Sequence, residues 1–114
     1  MSDELDRRAA LAMGWTWGLV GYDSCWNKDG DFRRLGSNWS PSTDRNDLSE
    51  LLREVERRGL GDNLARKMRV LWMEEGRAVI AWPINDYTFW LMVLDPAVIC
   101  EAACEVLEAA NERN

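Results

Sequence analysis

Apolar and polar positions recur along this chain with different periods, and each period predicts an element. Leu5, Ala9, Ala12 and Met13 lie at helical spacing, which predicts a short helix over 3–13. Asp3, Glu4 and Asp6 suit its positive N-terminal end, and Gly14 marks its stop. Residues 15–22 read as a strand, weakened by Gly18 and Gly21. Asn27-Lys28-Asp29-Gly30 is a turn signal, with Asp-Gly favoured in tight hairpins, so 22–26 and 32–35 are expected to pair.

Ser40-Pro41-Ser42-Thr43-Asp44 opens the next helix. Pro41 fits at or before its first turn, and Ser42, Thr43 and Asp44 are all competent N-caps. Leu48, Leu51, Leu52 and Val55 give the apolar stripe, charged residues fill the opposite face, and Gly59 and Gly61 end the helix near Arg58. Residues 68–73 alternate, with Met68, Val70 and Trp72 on one side, and predict a strand; 77–82 predict a second, stopped by Pro83. The nearly continuous apolar run 87–94 predicts a strand buried on both faces. Asp95-Pro96 opens a last helix whose broad apolar face includes Val98, Ile99, Ala102, Ala103, Val106 and Leu107.

The predicted order is α-β-β-α-β-β-β-α. This is an α+β fold in which a small, mostly antiparallel sheet is flanked by helices. At 114 residues, with no linker or repeat, one domain over 1–114 is expected. No apolar run is long enough to span a membrane, and the acidic start lacks the marks of a signal peptide, so a cytoplasmic setting is expected. The net charge of −6 argues against long nucleic acid as a partner, because displacing its counterions needs a surplus of Lys and Arg.

Histidine is absent, which removes Ser-His-Asp and Cys-His catalysis and histidine metal ligation. The three cysteines, Cys25, Cys100 and Cys104, contain no C-x-x-C pair and read as small buried hydrophobes. No cofactor or metal is expected. Seven tryptophans are far above the usual share, and four of them (Trp15, Trp17, Trp26 and Trp39) fall within the first 40 residues. Such rings fill small cores, and they also stack on bases and anchor interfaces.

Met13-Gly14-Trp15, then Trp39-Ser40-Pro41-Ser42-Thr43-Asp44 opening a helix, then Pro96-Ala97-Val98-Ile99-Cys100-Glu101-Ala102-Ala103 resembles the phage ABA sandwich domain family. The likeness covers nearly the whole chain and departs from the family pattern in a longer Trp-rich insert between Met13 and Trp39. It implies a small bacteriophage protein acting in the cytoplasm of an infected bacterium. By analogy with phage biology, it suggests a sponge for a nucleotide-derived immune signal, such as a cyclic ADP-ribose isomer or a cyclic oligonucleotide.

Three segments are candidates to hold such a ligand. The helix start at Ser42 and Thr43 offers amides and hydroxyls to a phosphate, or simply caps the helix. Arg33 and Arg34 beside Trp26 and Trp39 combine phosphate-gripping forks with stacking faces, or form a solvated basic pair over a minor core. Asn85 and Tyr87, after Pro83, could read a base edge or ribose, or form an ordinary turn.

The leading expectation is a non-catalytic binding protein for a small nucleotide-type ligand. Its site would lie where the Trp-rich segment meets the second helix. A protein-interaction module that inhibits a host protein is the alternative, and a carboxylate-dependent phosphodiesterase is a third reading. The excess of large aromatics also suggests a homo-oligomer, most simply a symmetric dimer.

Overall fold

The computed structural model describes residues 2–20, 23–74 and 95–113. Among them, helix α1 (Ser2–Ala12) is followed by strands β1 (Thr16–Val20), β2 (Asp23–Lys28) and β3 (Asp31–Leu35) and a single 3-10 turn (Gly36–Asn38). Helices α2 (Arg45–Arg57), α3 (Gly61–Glu74) and α4 (Pro96–Arg113) complete the set. The fold is α+β, with a small antiparallel sheet flanked by helices.

The sheet is a meander in the order β1-β2-β3. Trp17 sits opposite Trp26, and Trp26 opposite Arg34. Between Trp26 and Asn27 the register slips, so Asn27 faces Phe32 and Arg33 is left over as the extra residue. The β2–β3 turn places Asp29 and Gly30 at φ 54° and 85°, the left-handed pair that a two-residue hairpin requires.

Helix α2 starts where expected, and its cap is Asp44, whose carboxylate accepts from the amides of Asn46 and Asp47. Leu48, Leu51, Leu52 and Val55 are buried, as their spacing predicts. They meet Ala9, Met13, Trp15, Trp26, Trp39, Leu64, Met68 and the inner face of α4 in one apolar cluster. Helix α4 packs on α1, α2 and α3. Polar links lock its far end. Arg8 grips Glu108 with two hydrogen bonds, at 2.9 and 2.6 Å, and this pair draws the Glu108 carboxyl below its ordinary value. Asn111 donates to the carbonyl of Ala12 and Arg58 to that of Met13, taking up acceptors that the end of α1 leaves open.

One expectation is corrected. Residues 68–73 are not a strand but the second half of α3. Their alternation coincides with a helical stripe that begins earlier: Leu64 and Met68 are buried, and Leu71 packs partly against the core. Val70, placed inward by the strand reading, is among the exposed large apolar residues. Leu64-Ala65-Arg66-Lys67-Met68-Arg69 are all good helix formers, and Lys67 pairs with Glu105 of α4 at 2.5 Å. The strands expected at 77–82 and 87–94 lie outside the described residues.

Cys25, Cys100 and Cys104 are free and buried, in keeping with the reading of them as small hydrophobes. Hydrogen bonding to Cys104, together with burial, pushes the Cys100 thiol well above its ordinary value and keeps it protonated. Among the described residues no helix is long and apolar enough to cross a membrane.

Candidate functional site, a tryptophan cleft

Four tryptophans organise the space between α1 and the sheet. Trp15 and Trp39 meet with ring centroids 4.6 Å apart, and Trp17 meets Trp26 edge to face at 4.7 Å. Trp15, Trp26 and Trp39 are buried, whereas Trp17 is 47% exposed. Trp39 is fixed by its indole Nε1, which donates to the Asp6 carbonyl at 2.9 Å. The Asp6 side chain, itself buried, accepts from the amide of Ser42 at 2.9 Å. One residue of α1 therefore holds both the ring and the turn ahead of α2.

Beside these rings opens a cleft of about 680 Å³, lined by Glu4, Asp6 and Arg7 of α1, by Trp17, Trp26 and Trp39, and by Gly36 and Ser37. Gly36 is required there by contact. A Cβ on it would come within 2.5 Å of Cη2 of the Trp17 ring. Arg7 is exposed and lines the cleft from α1.

The sequence-predicted site residues divide. Trp26 and Trp39 line the cleft. Arg34 is engaged internally: it donates to Asp47 at 2.9 Å and to Glu50 at 2.6 Å, and its guanidinium carbon lies 6.0 Å from the Trp39 ring centroid. Asp47 uses its other oxygen to accept from the Ser40 amide, so this network pins β3 to the start of α2. Arg33 is exposed on the bulge and is not part of the cleft lining. Ser42 is buried and its hydroxyl has no hydrogen-bond partner among the described residues. Thr43 is exposed and turns its hydroxyl back to the Ser40 carbonyl, while Asp44 occupies the helix amides a phosphate would need. Asn85 and Tyr87 lie outside the described residues.

Sequence reasoning passed over Glu4, Asp6, Arg7, Trp17 and Gly36. One signal was available. Asp6 falls on the buried stripe Asp6, Ala9, Ala10 and Met13, and a carboxylate on a core stripe implies a specific partner.

Among the described residues no group of three metal-ligating side chains comes together. No family model, curated protein or solved structure matches the chain.

Proposed function

We propose that this chain is a non-catalytic binding protein that sequesters a small nucleotide-derived molecule in the tryptophan cleft. The observation that carries the reading is the cleft itself. Its volume falls in the range of small-molecule sites, roughly 300–1,000 Å³, and it sets a half-exposed indole beside an exposed arginine and two carboxylates. Trp17 offers a stacking face to a base. Arg7 offers a fork to a phosphate oxygen. Glu4 and Asp6 can accept from ribose hydroxyls or an exocyclic amine.

The absence of histidine removes the usual general base near neutral pH and favours retention of the ligand over its conversion. Within this proposal the resemblance to phage ABA sandwich proteins makes the chain a phage product that withdraws a host immune signal in the bacterial cytoplasm. The site differs from the one expected from the sequence, because the cation facing the ligand is Arg7 rather than Arg33 or Arg34.

The test is calorimetric titration with cyclic oligonucleotides and cyclic ADP-ribose isomers, with the recovered ligand checked by mass. Binding should be saturable, should raise the melting temperature by mass action, and should return the ligand unchanged. Trp17→Ala and Arg7→Ala should each weaken it while leaving the fold intact, since both side chains reach solvent. A folded protein that binds no member of the panel would remove the proposal, and a chemically altered ligand would replace it with an enzyme.

A further inference from the structure

We propose that the cleft selects by charge, favouring nucleosides and cyclic nucleotides of low charge over nucleoside triphosphates. This rests on the reading of the cleft as a nucleotide site and adds the class of ligand it takes. The charged lining consists of Glu4 and Asp6 against Arg7, two carboxylates to one guanidinium. Arg34, whose guanidinium lies over the Trp39 ring, does not relieve the imbalance, because it is held by Asp47 and Glu50. Arg8, next along α1, is committed to Glu108. A single phosphodiester charge can be matched by Arg7. Among the described lining residues there is no second cation, so each further charge of a terminal triphosphate meets carboxylates, in a protein whose net charge is already −6.

Such selection has a consequence for a sequestering protein. Cellular triphosphates share base and ribose with any nucleotide signal and are abundant. A cleft built only of stacking and hydroxyl contacts would fill with them. Carboxylates beside the stacking ring are a repulsive element that removes this competition, and specificity depends on such elements as much as on attraction.

The experiment is calorimetry on the full chain with adenosine, 3′,5′-cyclic AMP and ATP, and with the guanosine series, at low and at raised salt. ATP and GTP are expected to bind about tenfold or more weakly than their cyclic monophosphates. The gap should narrow as salt screens the lining. In Glu4→Gln, at an exposed position that should leave the fold intact, the gap should also narrow. Triphosphates binding as tightly as the cyclic compounds would overturn the selection while leaving the cleft a nucleotide site. An unchanged gap in folded Glu4→Gln would overturn it too. If no compound of either series binds the folded protein, the selection falls; the nucleotide reading falls with it only if the cyclic oligonucleotides and cyclic ADP-ribose isomers fail to bind as well.

Discussion

Arg33 and Arg34 are adjacent and chemically identical, yet the β2–β3 bulge gives them different work. The slip after Trp26 turns Arg34 toward Asp47 and Glu50 and leaves Arg33 exposed. Asp47 is only 4% exposed, so removing Arg34 strands a buried carboxylate that keeps only the Ser40 amide as donor. Arg34→Ala is expected to cost about 1–3 kcal/mol of stability, whereas Arg33→Ala should stay within about 0.5 kcal/mol of the parent. Denaturant titration of the two variants checks this; equal midpoints would show that the Arg34 pairs contribute nothing. Gly36 sets a second prediction at the same scale. In Gly36→Ala the new methyl occupies the place of the Trp17 ring edge. The ring should swing away, quenching or shifting its fluorescence and lowering affinity for any ligand of the cleft, with little change in melting temperature because Trp17 is half exposed. Unchanged Trp17 emission would mean the contact is accommodated elsewhere.

At the scale of elements, the C-terminal turn of α2 is organised by Glu54. Arg57 donates two hydrogen bonds to it and Arg58 a third, with Lys28 of β2 4.0 Å away. The hydrogen bonds from Arg57, opposed by burial and reinforced by Arg58 and Lys28, hold the Glu54 carboxyl down to about 2 from an ordinary 4.5. A carboxyl depressed in the folded state binds its proton more readily when unfolded. Its contribution is therefore complete above pH 4.5 and lost as pH falls from 4.5 to about 2. The stability of Glu54→Gln should be lower than the parent's at neutral pH and flatter through that acid window, as read by thermal melts at stepped pH. Parallel profiles would detach Glu54 from acid unfolding.

Elements marked by both a stripe and a cap were legible in the sequence. These are α1, α2 and α4; the hairpin was legible instead from its turn residues Asp29-Gly30. Helix α3 was not, because a strand window drawn at 68–73 admits the tail of the stripe that Leu64 and Met68 begin. The site was half legible. Trp26 and Trp39 announced themselves by type, but Glu4 and Arg7 sit on a helix about 20 to 35 residues earlier in the chain, and no local pattern links them to the rings. The partners of Arg34 were hidden for the same reason: Glu50 reads as part of the solvated face, and nothing local ties it or Asp47 to Arg34 until the sheet is laid against α2.

For the whole molecule, the number of tryptophans first suggested that one subunit could not bury them all. Among the described residues that pressure is smaller, since Trp15, Trp26 and Trp39 are buried within the chain. Among the described residues Leu11, Phe32 and Val70 are exposed singly on other elements, whereas two large apolar residues are exposed together on β1. Leu19 is 72% exposed and Trp17 47%, both on the same face of β1, and β1 has only β2 as a neighbour among the described strands. A strand edge with adjacent apolar side chains is a template for pairing with another chain, and pairing of two β1 edges would obey two-fold symmetry. The expected outcome is a dimer whose light-scattering mass is twice the 13.1 kDa of the chain and falls on dilution. Leu19→Lys places a charge against its own symmetry mate in that arrangement, so it should yield monomer without altering the cleft, whose lining does not include Leu19. If both proteins run as monomers, the exposed strip on β1 does not drive self-association. If Leu19→Lys stays dimeric, the interface lies on another surface and the β1 edge is not its seam.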